Sequence, residues 1–322
     1  MEQENEDHSE RSHRLDRIGP RRPLGHRGHC HRRELRAWVR NQPALLTAGA
    51  RVVLTARNAE KAAAAKSALV DALGDLPIET MLLDLADLES IRRFSEEFHG
   101  KHSRLDMLIN NAGIMMTDAQ LTIDGFESQL GTNHLGHFAL TGSLIDLIEA
   151  TPGARVVTLS SIAHRWNFME FGNLMFQNGS YTPRAAYGRS KLANLLFAYE
   201  LQRRFEAAGV DALSVAAHPG AAGTGLADHL LNHWYLRPVK PLLFLALQTP
   251  RQGARPTLRA ATDPSAVGGD YFGPSGRNEH RGAPVRVESS AASHSESDAL
   301  TLWTESEGLT GVNYESLRTP TE

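Results

Sequence analysis

The chain has 322 residues, room for one large domain or two small ones, and its 41% hydrophobic content is enough for a sizeable core. A formal net charge of -3 argues against a dedicated nucleic-acid binder, and a single cysteine, Cys30, excludes an internal disulfide framework and fits a reducing cytoplasm. The acidic, polar start "MEQENEDHSE" is not expected to act as a signal peptide, and the most apolar later run, "PVKPLLFLALQ", is far shorter than the ~20 residues that span a bilayer.

Residues 1–24 are polar and without periodicity, and are expected to be disordered. Residues 11–40 hold ten arginines and no lysine, whereas the later chain mixes its charges. From Ala44 the pattern becomes regular. "RVVLTAR" predicts a strand after the turn "AGA", "AEKAAAAKSALVDAL" a helix, "IETMLLDL" a strand and "LESIRRFSEEFHG" a helix. "LDMLINNAG" predicts a strand running into a glycine turn. "TNHLGHFALTGSLIDLIEA" predicts one helix, "ARVVTLSS" a strand, "AAYGRSKLANLLFAYELQRRFEAAG" a long amphipathic helix and "VDALSVAAHPG" a strand. A polar loop and a short helix close the chain. Strands alternating with helices imply an α/β fold, with a parallel sheet covered on both faces.

Chemistry concentrates at Tyr187-Gly-Arg-Ser-Lys191. Residues four apart on a helix share a face. The lysine ammonium is expected to lower the pKa of the tyrosine phenol, which can then exchange a proton with a carbonyl or alcohol oxygen. A Tyr–Lys pair alone is more often a surface pair. Here it stands with "RVVTLSSIAH" (Ser160, Ser161), "NNAG" (Asn110 to Gly113), "TNHLGHF" (Asn133) and "HPGAAGTGL" (218–226).

In this order the set resembles the short-chain dehydrogenase/reductase family, closest to its retinol-dehydrogenase-like branch, over roughly Ala44 to Val312. The resemblance implies a single-domain, Rossmann-like, doubly wound sheet over residues 44–313, with 314–322 as a tail. It implies Tyr187 as general acid/base and Lys191 as the residue that binds the cofactor ribose and tunes Tyr187. Ser161 would hydrogen-bond the substrate oxygen, and Asn133 would hold a water in a proton relay. Asp84 would meet the adenine edge beside Leu85. Asn111, Ala112 and Gly113 would pass along the adenosine ribose, and Pro219, Gly220 and Thr224 would lead to the nicotinamide. The bland alternatives are a strand-end acid for Asp84, a turn for Pro219-Gly220, a strand-end cap for the serines and a helix-bending amide for Asn133. Arg57 ends "VVLTARN", where an acid would grip a ribose hydroxyl and an arginine suits the 2'-phosphate, so NADP is favoured over NAD, with Asn58 and Lys61 as helpers.

The implied function is hydride transfer between a nicotinamide and a small-molecule alcohol or carbonyl compound, in the cytoplasm, with no metal. Residues Leu226 to Asp270 would cover the substrate, and their apolar character suits a lipophilic one or, equally, a packing helix under a loop. A homo-oligomer could form through "KLANLLFAYELQRRF". The rival is a catalytically silent relative or scaffold.

One part of the pattern is missing. The family needs a first strand ending in a turn of the form TGxxxGxG, whose glycines let the backbone approach the pyrophosphate. At residues 25–43 stands "GHRGHCHRRELRAWVRNQP" instead. Four readings compete. His26, His29, Cys30 and His31 are acceptable zinc ligands, but adjacent ligands rarely close a tetrahedral site and no second pair stands nearby. The arginines and Trp38 could form a basic arm. The segment could be a divergent first unit of a non-catalytic relative. Finally, the gene could be read out of frame over about residues 18–43. Read one base later, codons allowed for His31 to Gln42 spell T-G-A-N-S-G-L-G-(F/Y)-E-T, and those for Gly25 to Cys30 permit a buried strand. The glycine from Trp38-Val39 follows without any choice of codon. Of the four, the shifted frame accounts for the most residues.

Overall fold

The computed structural model describes residues 42–221 and 248–318. The expected disordered segment 1–24, the segment 25–41 with its histidines and Cys30, and Thr224 all lie outside them.

Helix α1 (Gln42–Thr47) leads into β1 (Val52–Ala56). Helix α2 (Ala59–Leu73) starts where the Asn58 side chain accepts a hydrogen bond from the Lys61 amide at 2.8 Å, and strand β2 (Ile78–Leu82) follows. Helix α3 (Leu88–Lys101) is capped by Asp87 at its start and carries His99 and Lys101 in its last turn, both suited to the helix dipole. After β3 (Met107–Asn110) comes α4, built of Ser128–Leu130, a π-helical turn at Gly131–Leu135, and Gly136–Gly142. Then follow α5 (Ile145–Glu149), β4 (Ala154–Leu159), the long α6 (Pro183–Ala208) and β5 (Ala212–Ala217). Helix α6 has Thr182 as N-cap, proline at its first position and left-handed Gly209 at its end, so both termini are specified locally. The described chain resumes with α7 (Pro250–Gly253), α8 (Arg255–Thr262), β6 (Tyr271–Pro274), β7 (Pro284–Arg286) and α9 (Glu296–Thr310).

The architecture is the expected Rossmann-like α/β fold with parallel strands, but the described strands form two sheets rather than one. β1 pairs with β2, and β3-β4-β5-β6 run parallel with β7 added antiparallel. Among the described residues no strand pairs with the second edge of β1 or of β3. One helical layer serves both sheets: Val53 of β1, Met81 of β2 and Leu108 of β3 pack with Ile91, Phe94 and Phe98 of α3 and Ala139 and Leu140 of α4. The strand that would join the sheets falls, by the sequence pattern, before residue 42.

Further differences have local causes. The single helix expected over 132–150 is broken at Ser143-Leu144, and it starts earlier, at Ser128. At Gly142, a Cβ would lie 2.6 Å from Val312 and 2.8 Å from Tyr314. Of the stretch 226–270, expected to cover the substrate, residues 226–247 lie outside the described ones, and the rest supplies α8, whose Ala260 and Ala261 pack under Val157, Val215 and Phe272. The expected tail begins inside the core, since Tyr314 is fully buried and Leu317 nearly so. The closing helix is not short: α9 runs for 15 residues. The face "KLANLLFAYELQRRF", expected to meet a second copy, is buried in the chain's own core, partly against Trp303 of α9.

Gly136 marks a tight contact between α4 and the segment that follows β2. A Cβ there would sit 2.3 Å from the Leu85 carbonyl oxygen, which is backbone and cannot step aside. Gly136→Ala is therefore expected to cost about 1–3 kcal/mol. Urea denaturation measures this, and an unchanged midpoint would refute the contact.

Candidate active site

Asn133, Tyr187 and Lys191 stand on helices, and the other described candidates follow the carboxyl ends of strands: Arg57 after β1, Asp84 and Leu85 after β2, Asn111 to Gly113 after β3, Ser161 after β4, and Pro219-Gly220 after β5. That end of an open parallel sheet is where ligands bind.

Strand β4 and helix α6 are stitched together at the centre. The Lys191 ammonium donates to the Leu159 carbonyl at 3.1 Å, and Asn194 donates to the same oxygen at 2.8 Å. The Ser160 hydroxyl donates to the Lys191 carbonyl at 2.7 Å, so Ser160 is structural. The Ser161 hydroxyl accepts from the Ala163 amide at 3.2 Å and also stands beside the Tyr187 phenol. Tyr187 and Lys191 are 8% and 5% exposed, so both are withdrawn from solvent but reachable.

Burial sets the proton affinities here. It pushes the Tyr187 phenol up to about 12, and the Ser161 hydrogen bond pulls only weakly the other way. Burial likewise lowers the Lys191 ammonium to about 8. The expected lowering of Tyr187 by Lys191 is thus absent: Nζ lies 5.8 Å from the centre of the tyrosine ring and is bonded to Leu159 instead. The phenol is neutral at physiological pH and holds a proton to give.

Asn133 stands in the π-helical turn. Its Oδ1 accepts from the Ile114 amide at 2.8 Å, and its Nδ2 donates to the Ile114 carbonyl and to Ser190 Oγ, both at 2.9 Å. Ser190 in turn donates to the Tyr187 carbonyl at 2.9 Å. These bonds tie the segment after "NNAG" to the Tyr–Lys helix. The Asn133 carbonyl faces His137 Nδ1 at 3.0 Å. A Cβ on Gly113 would lie 2.9 Å from Asn133 Oδ1 and 3.6 Å from Lys191 Nζ. Only glycine leaves that space open, so Gly113, Asn133 and Lys191 converge around one cradle.

The outer candidates separate by what their side chains do. Asp84 Oδ1 accepts from the Ala86 amide at 3.0 Å, the turn role weighed for it, and Leu85 is buried in the core. Ala112 packs against the same core and Asn111 is half-buried at the strand end. Arg57 is exposed and pairs with no acid among the described residues, while Asn58 is occupied as the α2 cap. Gly220 has φ of +69° and a Cβ there would lie 2.6 Å from Gln248 Nε2 and the His280 carbonyl, so that turn requires glycine. Asn110 donates to Thr141 at 3.0 Å, but its buried Oδ1 has no partner. Among the described residues no cluster of histidine, cysteine, aspartate or glutamate could hold a metal ion.

Sequence reasoning passed over a group beside this centre. His218 Nε2 meets Glu279 at 2.9 Å, and His164 Nδ1 donates to the Ser161 carbonyl at 2.6 Å. The histidines lie in the quoted "SSIAH" and "HPG" runs, but the glutamate is 61 residues from its partner and carries no local signal.

Comparison with known proteins points the same way. The family model described as short chain dehydrogenase matches residues 42–233. Human retinol dehydrogenase 13 is 37% identical over 275 residues, 84% of this chain and 80% of that protein. Human polyprenol dehydrogenase is 36% identical over 271 residues, 82% of this chain and 78% of that one. A crystal structure of an uncharacterised protein from Mycobacterium paratuberculosis superposes with a TM-score of 0.70 at 38% identity, over 86% of this chain and 90% of that one.

Proposed function

Because the chain belongs to the short chain dehydrogenase family, we propose that it is an NADP-dependent oxidoreductase that interconverts an alcohol with its aldehyde or ketone. The observation that carries this is the convergence of Gly113, Asn133 and Lys191 beside a buried, protonated Tyr187 and Ser161. In the reductive direction Tyr187 gives its proton to the carbonyl oxygen, and Ser161 hydrogen-bonds the same oxygen. A nicotinamide supplies the hydride when bound. The Gly113 cradle fits its ribose, with Lys191 and the backbone of Asn111 and Ala112 alongside. Asp84 and Leu85 offer backbone, since their side chains are engaged elsewhere. Pro219 and Gly220, with Thr224 beyond the described residues, take the nicotinamide end. The exposed Arg57, which pairs with no acid among the described residues, favours the 2'-phosphate of NADP over the bare hydroxyl of NAD.

Relatives named for retinol and polyprenol favour a lipophilic alcohol or carbonyl substrate. The reading includes a cytoplasmic location; no described helix is long and apolar enough to cross a membrane.

A second reading, a catalytically impaired chain, has an observation of its own: among the described residues β1 and β3 each lack a partner on one edge. Residues 25–43, which replace the phosphate loop, are its cause in this reading. Oxidation of NADPH with a broad panel of carbonyl compounds separates the two. Turnover is expected with apolar aldehydes, and Tyr187→Phe should lower it by at least about 100-fold. No turnover with any carbonyl leaves the impaired reading standing.

A further inference from the structure

The β6–β7 turn, residues 275–283, reaches across to two of the strand ends that carry the site. Two successive residues in it, Asn278 and Glu279, have left-handed backbones with φ of +55° and +56°. Asparagine tolerates that region; glutamate rarely occupies it, so the surroundings must hold it there. The held carboxylate makes two contacts. One oxygen accepts from His218 Nε2 at 2.9 Å, and the other from Arg165 at 3.3 Å.

Each contact continues to a candidate residue. The His218 ring is fully buried, and its Nδ1 accepts the Gly220 amide at 3.2 Å, which fixes Nε2 as the protonated nitrogen. A Cβ on Gly273 would lie 2.1 Å from His218 Nε2, so β6 carries a glycine where the ring must lie. The next residue of the turn, His280, offers its carbonyl to the Ala221 amide at 2.8 Å and to Gln248 Nε2 at 2.9 Å. On the other branch, Arg165 also donates to the Glu288 carbonyl at 2.5 Å. Its neighbour His164 is held between the Ser290 amide, at 3.1 Å, and the Ser161 carbonyl, at 2.6 Å.

We propose that Glu279 is a positioning residue for the oxidoreductase reaction, locking the backbone at Gly220 through His218 and the segment that carries Ser161 through Arg165. It touches no reacting atom. It fixes the two strand ends relative to each other, so that the nicotinamide end of the site and the Ser161 hydroxyl stay in register. The catalytic half of this assignment rests on the function proposed above; the structural half does not.

The test uses full-length Glu279→Gln and Glu279→Ala, with the parent protein. In cofactor-free protein, nitrogen-15 spectra report the His218 ring and the Gly220 amide. Both signals are expected to shift in each variant. In enzyme that turns over, kcat should fall by about 10- to 100-fold, the scale of a misplacement near 1 Å. The dissociation constant for NADPH should change by less than about threefold, because the adenosine half of the site is distant from Glu279 in the chain of contacts. Glu279→Asp, which keeps the charge, should recover part of the lost kcat. A residue that merely stabilised the fold would lower the melting temperature and leave kcat per folded molecule unchanged. An unmoved Gly220 amide overturns the proposal, and so does an unchanged kcat. If no carbonyl compound is turned over by the parent, the proposed function fails, while the Gly220 signal still decides the coupling.

Discussion

Replacing Gly25 to Gln42 with the eighteen residues permitted one base later is expected to tighten NADPH binding by at least about 100-fold. The peptide would be Gly-Ile-Val-Val-Ile-Val-Thr-Gly-Ala-Asn-Ser-Gly-Leu-Gly-Phe-Glu-Thr-Ser. Two effects add. Backbone amides at a glycine turn and helix start would face the pyrophosphate, and hydrogen bonds to a charged group are worth about 1.5–3 kcal/mol each. Two such bonds already correspond to a factor of about 100 or more in affinity. The apolar strand would also have a place to go, since one edge each of β1 and β3 is unpaired among the described residues. Its side chains would face the helical layer that both sheets share. Burying about five of them contributes roughly 1.5–3 kcal/mol apiece, against a net stability of about 5–15 kcal/mol for a whole domain. The melting temperature should therefore rise by more than about 10 °C. NADPH fluorescence titration and a thermal melt of the two proteins measure both effects. If the chain as written already binds NADPH at low micromolar concentration and the replacement adds nothing, the shifted-frame explanation is wrong. Sequencing the gene tests the same idea at its source: codons without TGxxxGxG one base over exclude it.

Most of what positions the site could be read from local pattern. The strands after "AGA" and before "SSIAH" are short β-branched runs, and the one leading into "NNAG" is a short apolar run, all three paired in parallel. Tyr187 and Lys191 are four apart on a helix, and one turn of helix suffices to place them together. What the pattern missed is non-local. Strands β6 and β7 are four and three residues long, and their pairing is visible only once β5 is in place. Glu279 reaches His218 across 61 residues, and nothing in the local run around it announces that contact. Tyr314 lies beyond the last recognised motif, yet its hydroxyl donates to the Phe138 carbonyl at 2.7 Å inside the core.

The Tyr–Lys pair shows a different limit. Spacing fixed the neighbours correctly, but the direction of the tyrosine's shift depended on depth and on where the ammonium points. With Lys191 drawn to Leu159, burial outweighs charge and the phenol rises instead of falling. Asn133 follows the same lesson. Spacing placed the residue, but not the bonds that both ends of its amide make to Ile114 and Ser190. Its contribution in this structure is to hold the "NNAG" segment against α6, and the π-helical turn around it is what aims the side chain there.

Lowering the pH from 7 to 5 is expected to remove about 6 kcal/mol of folding stability, a large share of the roughly 5–15 kcal/mol that holds a domain together. Three buried histidines carry this. Burial pushes His134 down to about 3, with His137 adding like-charge repulsion. Burial also lowers His137 and His164 to about 4 each, against a hydrogen bond to Asn133 and to Ser161 respectively that works the other way. A histidine in the unfolded chain takes up its proton near 6.5, whereas these three stay neutral in the fold. As pH falls below that value the unfolded state binds protons that the folded state refuses, so stability is lost from about 6.5 down to about 4. At pH 5 each site is about 1.5 units below its unfolded value, or about 2 kcal/mol. His99 opposes them: burial lowers it, but its hydrogen bonds to Asp146 and Ser95 prevail and leave it raised, so it adds stability below the unfolded value. That pair is exposed enough for solvent to screen it. Glu127 and Asp124, whose carboxyls burial raises, also oppose the three histidines, because the fold takes up their protons before the unfolded chain does, but the histidines outweigh these groups. Urea unfolding at half-unit steps of pH gives the slope, expected to approach about 4 kcal/mol per pH unit near pH 5 as three protons separate the states. His134→Gln should reduce that slope by one proton. A stability that is flat between pH 7 and 5 would mean that these imidazoles are charged in the fold or reached by water, and with that the close packing of His134 and His137 behind Asn133 would fall.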